Sequence, residues 1–409
     1  MTLLYLPAYF FPEVAASGYL ADNRNKAFAN AGFTSIAYVP TRCRGSSKEE
    51  RVKYCSKHYR IERLYDGRMI VHRFSLFTEG KNPVIRALRY ALCWIKQFNR
   101  GLFSKGIDCI YLASTPPIQG VLGGVLRILK RKPFVYNLQD IFPDSLVGTG
   151  LAHKGGFIWK IGRIIENFTY RNADKIIVIS EDFKRNIMAK GVPEEKIEVI
   201  YNWVDENAVR PVAKEDNPLF EEFYLSREKF TIVYAGNLGN AQNISIILVA
   251  AYMLPEIQFA VFGTGGLEDE IRKRISAENL MNVHLNPLQP MERVSQVYSL
   301  GDACIVSCKA GLGGSAMPSK TWSIMSCGRP VIASFDEGEL KDILEKNDCG
   351  VFAHAGNVQE FVNAIKFLKE DPSRCEEMGK KARQFILNNL TKEVGTKKYV
   401  DVIKSFEKK

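Results

Sequence analysis

Short apolar runs alternate along this chain with longer stretches in which apolar positions recur every three or four residues. In the first half the runs are Thr2–Leu6, Ser35–Val39, Met69–Arg73, Cys109–Ala113, Phe134–Asn137 and Lys175–Ile179. In the second half they are Phe230–Ala235, Gln258–Phe262, Asn282–Leu285, Ala303–Val306, Pro330–Ala333 and Gly350–Phe352. Helix-length segments lie between them: Leu20–Ala31, Ile118–Leu129, Ile158–Arg171, Glu181–Ala189 and Val358–Glu370 among others. Runs of this kind, parted by helices, predict βαβ units and parallel sheets covered on both faces. Two such series flank the polar stretch Asp205–Glu228. The fold class expected is therefore α/β: two doubly wound, Rossmann-like domains whose parallel sheets face a central cleft. The boundaries are 1–205 and 206–392, with a last helix near Glu393–Phe406 in a 393–409 tail able to pack back onto the first domain.

Length and composition agree with this picture. The chain has 409 residues, which suits two domains at roughly 100–200 residues each. Nine cysteines occur without a CxxC pair and five histidines are scattered, so neither a disulfide framework nor a metal site is predicted. The opening MTLLYLPAYFFPE lacks a basic region and a small-residue cleavage site, so it reads as a first strand rather than a signal peptide. The apolar stretch Cys109–Leu126 is broken by Pro116-Pro117 and is rejected as a membrane span. Charge is lopsided. Residues 1–205 carry 31 Lys and Arg against 18 Asp and Glu, while the remainder carries 25 against 27. An anionic partner for the first half, or a merely solubilising surface, would each explain this.

In open α/β sheets ligands bind where strands run into helices. Four such loops stand out. YFFPEVAASGYL brings Glu13 and Gly18 to the start of a helix. VYAGNLGNAQN places Gly236, Asn237 and Gly239 after a strand, where a phosphate can lie against the main chain. It is not GxGxxG, which argues against a dinucleotide site. VFGTGGLEDEIRK, with Gly263, reads as a packing turn bordering the nucleotide site. In GSAMPSKTWSIMSCGRPVIAS, Pro318 halts the loop, Ser319 is a suitable N-cap and Lys320 falls in the first helical turn. A cation is disfavoured at that end of a helix unless an anion compensates. Lys320, Ser319 and neighbouring amides together read as a diphosphate clamp; a solvated helix-end lysine is the plainer alternative.

GNLGNAQN, VFGTGG, GDACIVS and MPSKTWSIMSCGRPVIAS, with FPEVAASGYL, NLQDIFPDS and the segment Val178–Asp205, resemble family 4 glycosyltransferases of the two-domain GT-B fold. The closest resemblance is to the branch that builds bacterial surface polysaccharides, including enzymes acting on N-acetyl-L-fucosamine. It implies retaining transfer of a sugar, an N-acetylated amino sugar, from a UDP-sugar to a lipid-linked or saccharide acceptor such as an undecaprenyl-diphosphate saccharide. No metal or organic cofactor is implied. Gly18 would approach the diphosphate from the N-terminal side. Gly236, Asn237, Gly239, Gly263, Pro318, Ser319 and Lys320 would line it, with Lys320 the principal cation, and Leu288 would meet the base. Asp140 and Glu13, with Asp144 behind them, would face the sugar or acceptor. The chain departs from the family at two glutamates, replaced here by Ser315 and Ser323, so Ser323 or Glu339 is expected to hold the ribose. Gln242 stands where a lysine is common.

Residues 83–103, PVIRALRYALCWIKQFNRGLF, place Ile85, Leu88, Leu92, Ile95, Phe98 and Leu102 on one helical face and Arg86, Arg89, Lys96 and Arg100 on the other. Such a helix suits an anionic membrane surface, or packs its apolar face on the sheet. A peripheral location on the inner face of the cytoplasmic membrane is expected. The rivals are a nucleotide-sugar 2-epimerase, a non-catalytic sugar-nucleotide binder and a nucleic-acid-binding protein. Scarce histidine disfavours the first, the missing glutamates favour the second, and the want of any recognisable module disfavours the third.

Overall fold

The computed structural model describes residues 1–11, 18–41, 49, 52, 60–77, 82–148, 152–313 and 317–407. The chain divides into two units, Met1–Tyr201 with Glu393–Lys409, and Asn202–Lys392.

Among the described residues, the first unit runs β1 (Thr2–Tyr5), α1 (Gly18–Asn30), β2 (Thr34–Pro40), β3 (Ile61–Leu64), β4 (Met69–Phe74), α2 (Pro83–Phe103), β5 (Cys109–Ala113), α3 (Ile118–Lys130), β6 (Phe134–Leu138), α4 (Asp144–Gly148), α5 (Phe157–Asn172), β7 (Lys175–Val178), α6 (Glu181–Ala189) and β8 (Ile197–Val199). The strands form one sheet in the order β3-β4-β2-β1-β5-β6-β7-β8. All pairs are parallel except β3 with β4, a hairpin in which Leu64 faces Met69. Its turn takes Tyr65, Asp66 and Gly67 through positive φ, which is costly without the glycine. β3 was not predicted: IERL is a half-exposed edge strand without an apolar run. The three-residue β8 escaped for want of length.

The central strands β5 and β6 are almost wholly buried because helices cover both faces. α3 is glycine-rich for a packing reason. A Cβ on Gly120 would lie 2.4 Å from Thr169, and one on Gly124 2.7 Å from the Phe168 ring, so these glycines let α5 approach. α2 packs on the other flank of α3. The periodicity of α2 was read with its arginines outward; the structure turns part of it over. Arg89 and Gln97 are fully buried. Gln97 Nε2 donates to the carbonyls of Pro7 and Tyr38, each at 2.9 Å, and Arg89 Nε donates to Phe77 O at 3.0 Å. Carbonyls near the ends of β1 and β2 and beyond β4 need donors, and these long polar side chains supply them. Ile85, Leu88 and Ile95 are left exposed.

In the second unit β9 (Thr231–Asn237), α7 (Ser245–Met253), β10 (Gln258–Thr264), α8 (Glu268–Ala277), β11 (Val283–Asn286), α9 (Val294–Ser299), β12 (Ala303–Ser307), α10 (Lys320–Ser326), β13 (Val331–Phe335), α11 (Glu339–Lys346), β14 (Gly350–His354), α12 (Val358–Glu370) and α13 (Pro372–Asn389) follow in turn. Its sheet is parallel throughout, in the order β11-β10-β9-β12-β13-β14. Ile232, Tyr234, Phe259, Val261, Ile305 and Ile332 from its strands share one core with α7 and α12. Asn282, buried, donates to the carbonyls of Ala251, Leu254 and Ile257, each at 3.0 Å, which ties the end of α7 to the sheet. Arg383 of α13 gathers the carbonyls of Glu206, Val209 and Ser326.

Val204 and Thr391 pair as a parallel bridge where the chain enters and leaves this unit. The last helix, α14 (Lys392–Lys404), belongs with the first unit from Glu393 onward. There Tyr399 donates to Asn137 Oδ1 at 3.0 Å. Among the described residues no helix is long and apolar enough to cross a membrane.

Candidate functional site

The carboxyl end of the second sheet gathers most of the residues singled out from the sequence. β9 and β10 end side by side, with Gly263 opposite Gly236 and Thr264 opposite Asn237. Their loops are zipped together: Leu238 N donates to Thr264 O and Leu267 N to Leu238 O, both at 2.9 Å. Neither Gly263 nor Gly265 has room for a side chain. A Cβ there would lie 2.5 Å from Gly236 O and 2.4 Å from Leu238 O respectively. The β9 loop is also moored to β12, through Ser307 Oγ to Gln242 O at 2.5 Å and Lys309 N to Ala241 O at 2.9 Å. Asn237 is exposed at its mouth and donates to Gln242 Oε1 at 3.2 Å, so Gln242 orients an amide rather than supplying charge. A Cβ on Gly239 would crowd that same Asn237 amide at 2.5 Å.

Lys320 lies over Gly236. Its ammonium sits above the Tyr234 ring, 4.3 Å from the centroid. A Cβ on Gly236 would come within 2.8 Å of Lys320 Nζ, and Gly236 holds φ +147°, a conformation that side chains rarely adopt. The side chain is half-buried, and among the described residues no carboxylate pairs with it. Desolvation pushes its pKa down from 10.5 to about 8. Tyr234 is fully buried; its hydroxyl donates to Asn237 O at 2.8 Å, and burial raises its pKa. Tyr234 was not picked out from the sequence. The signal was present: side chains two apart on a strand share a face, so Tyr234 lies under the same loop as Gly236. The arrangement is a rigid glycine floor with one partly desolvated, unpaired cation, which favours an anionic ligand.

Ser319 occupies the position before α10, as its residue type suggested, but it does not cap the helix. Its backbone is already helical (φ −57°, ψ −25°) and its hydroxyl makes no cap hydrogen bond. The exposed hydroxyl therefore remains at the loop surface. Pro318 accepts from Thr321 N through its carbonyl at 3.0 Å and starts the turn. Ser323 is half-buried one turn beyond Lys320. Glu339 is buried at the start of α11, after β13, and Leu288 is 47% exposed in the loop after β11. Leu288 lies on the loop that leaves the carboxyl end of β11, and Glu339 opens the helix that follows β13. Ser315 lies outside the described residues.

In the first unit Gly18 opens α1, and a Cβ there would meet open space. Asp140 follows β6. Desolvation raises its carboxyl above the ordinary aspartate range, against the pull of hydrogen bonds from Ser145 and the Ile141 amide. Asp144 starts α4 and is neutralised by Lys190 at 2.7 Å, so it is bound into the structure. Glu13 lies outside the described residues. The end of β1 also borders a cavity of about 480 Å³, lined by Tyr5, Tyr9, Phe10, Gly18, Asn25 and Tyr65 among others, so it includes residues of the YFFPEVAASGYL loop singled out from the sequence.

Comparison with known proteins agrees with this architecture. Residues 26–208 match the family model described as Glycosyltransferase Family 4, and residues 217–385 match Glycosyl transferases group 1. The chain is 24% identical to the probable glycosyltransferase WbjE of Pseudomonas aeruginosa, over 67% of this chain and 68% of that protein. It is 29% identical to the putative colanic acid biosynthesis glycosyl transferase WcaI of Escherichia coli over 52% of this chain, spanning about half (53%) of that relative's length. A Campylobacter jejuni N-acetylgalactosamine-N,N'-diacetylbacillosaminyl-diphospho-undecaprenol 4-alpha-N-acetylgalactosaminyltransferase is 19% identical over 74% of this chain and 77% of its own length. Sucrose-phosphate synthase of Thermosynechococcus elongatus superposes with a TM-score of 0.77 at 16% identity, covering 99% of this chain and 98% of the other. Anabaena HepE, solved with UDP, superposes with a TM-score of 0.74 at 18% identity, covering 99% and 100%. The chain is a glycosyltransferase of the GT-B fold, its first half matching the Family 4 model and its second the group 1 model.

Proposed function

We propose that this chain transfers a sugar, an N-acetylated amino sugar, from a UDP-sugar to a lipid-linked saccharide in the synthesis of a bacterial surface polysaccharide, with retention at the anomeric carbon. The observation that carries the reading is the ammonium of Lys320: half-buried, unpaired among the described residues, and seated against Gly236 and over Tyr234. A departing nucleoside diphosphate gains negative charge as the glycosidic bond breaks, and a positioned cation stabilises that charge. In this reading Asn237, Gly239 and Ser319 line the diphosphate, Leu288 meets the base, and Ser323 or Glu339 takes the ribose. Gly18, and Asp140 or Glu13, contribute from the first unit. The acceptor hydroxyl attacks the face the diphosphate leaves, and its proton passes to the departing phosphate oxygen. A strong base is then unnecessary.

The relatives support the substrate class. HepE was solved with UDP, WcaI is named for colanic acid synthesis, and the Campylobacter relative is named for an undecaprenol diphosphate. Such an acceptor brings the enzyme to the inner face of the cytoplasmic membrane, with helix 83–103 of the basic first half against anionic lipid. The test is to incubate the purified protein with a panel of UDP-sugars and a polyprenyl-diphosphate saccharide, following UDP release and product mass. Release should require both substrates, and Lys320→Ala should lower it roughly 10²–10³-fold. Near-normal turnover in that variant, or no release with any UDP-sugar, would refute the reading.

A further inference from the structure

We infer that the aromatic cavity beside β1 binds an N-acetylated sugar, the unit of the acceptor that receives the transferred sugar. This rests on the function proposed above and adds the chemical class of the acceptor, which that reading leaves open.

The cavity holds about 480 Å³, within the range of small-ligand pockets. Its wall is largely ring: Tyr5, Tyr9, Phe10 and Tyr65 line it, with Asp22 and Asn25 of α1. Three of its hydroxyls are already engaged. That of Tyr5 accepts from Arg24 at 3.1 Å, that of Tyr9 pairs with Tyr90 at 2.6 Å, and that of Tyr65 donates to Asp22 Oδ1 at 2.6 Å. These side chains therefore offer a ligand ring faces, and a ring face, negative in its quadrupole, favours the C–H surface of a pyranose.

Two polar groups are left to choose the ligand. Arg24 is buried, its guanidinium 4.7 Å from the Tyr111 ring centre and 5.3 Å from that of Tyr5. Held there, it donates to Asn25 Oδ1 at 3.2 Å, which orients the amide and leaves Nδ2 as a donor. Tyr65 occupies Asp22 Oδ1 and leaves Oδ2 as an acceptor. Residues three apart on a helix are neighbours on one face, so the cavity sets one donor beside one acceptor in an aromatic wall. An acetamido group is the complement: a carbonyl that accepts, an N–H that donates, and a methyl group for the rings. A plain hexose brings an extra hydroxyl in its place, and a polar group buried without a partner costs free energy. A carboxylated sugar would meet the Asp22 carboxylate, which the bond from Tyr65 does not neutralise.

The test is titration of the full chain, followed by saturation-transfer NMR, with the methyl glycosides of N-acetylglucosamine, N-acetylgalactosamine, glucose, galactose and fucose. One acetamido glycoside should bind at least about tenfold more tightly than its parent hexoside, because two hydrogen bonds are gained. Asp22→Ala and Asn25→Asp should each abolish that preference. Both should keep the fold, since Asp22 is exposed and an aspartate at 25 would face the Arg24 guanidinium. In the transfer assay the preferred glycoside should accept the sugar or compete with the polyprenyl-linked acceptor. UDP affinity, measured on the same samples, should be unchanged in both variants. A protein that prefers acetamido glycosides and ignores UDP would uphold the cavity and fail only the donor reading. Equal binding of acetamido and parent glycosides, tightest binding of the fucoside, no binding of any glycoside, or a preference that survives Asn25→Asp would overturn the assignment. A glycoside that binds yet neither accepts nor competes would overturn the acceptor role.

Discussion

Replacing Lys320 with methionine should make the protein more stable and less active. The ammonium sits half-buried without a carboxylate, and its pKa has fallen from 10.5 to about 8. That displacement corresponds to a penalty of about 3 kcal/mol for carrying the charge at neutral pH. It is an upper bound, because the group still reaches water. Methionine keeps the stem against Tyr234 but gives up the cation–π contact, worth about 0.5–2 kcal/mol. The net gain is on the order of 1–2 kcal/mol, or an unfolding midpoint raised by roughly 2–8 °C for a domain of this size. The sign with pH is fixed. The folded pKa lies below the unfolded one, so the penalty is present in full below pH 8, shrinks between 8 and 10.5, and is gone above. Thermal scans of both proteins at pH 7 and pH 10.5 should therefore show the variant ahead at the first and level at the second. UDP release should fall roughly 10²–10³-fold at the same time. A variant no more stable at pH 7, or equally favoured at both pH values, would mean that the lysine carries no stored penalty.

Other consequences can be checked independently. Gly236→Ala should drive the Lys320 ammonium about 1 Å from its place and cost roughly 10²-fold in transfer; the double variant with Lys320→Met should be no worse than Lys320→Met alone, and additive losses would show that the glycine acts otherwise. Affinity for UDP, by calorimetry, should fall as pH rises from 7 to 9.5 because the ammonium is lost near pH 8, whereas Lys320→Met should show little of this dependence. Asn282→Leu should destabilise the second unit by about 2–4 kcal/mol in urea unfolding, since three carbonyls at 3.0 Å lose their donor.

Most strands were legible because parallel strands buried on both faces must be largely apolar, as the run VIASF, Val331–Phe335, shows. The edge strand Ile61–Leu64 was not, because an edge exposed to water keeps polar residues. The periodicity of 83–103 grouped Arg89 with Arg86, Lys96 and Arg100, but in the structure Arg89 turns inward beside Gln97 while the other three stay exposed. That choice was made by carbonyls of Pro7, Tyr38 and Phe77, far away in the sequence. At the candidate site the glycines and Lys320 announced themselves by residue type. Tyr234 did not, since a buried tyrosine in a strand looks like core until the residue above it is known. Ser319 has the chemistry of a cap, but dihedral angles decide whether that chemistry is used.

The pairing of Val204 with Thr391 means that the second unit is spliced into the first through two adjacent cut points. It is a single uninterrupted cassette, whereas the first unit is made of two pieces and is incomplete without Tyr399. Recombination that exchanges residues 202–392 between related chains would graft a whole sheet through two adjacent cut points. Truncation before Glu393 would injure the unit at the opposite end of the gene.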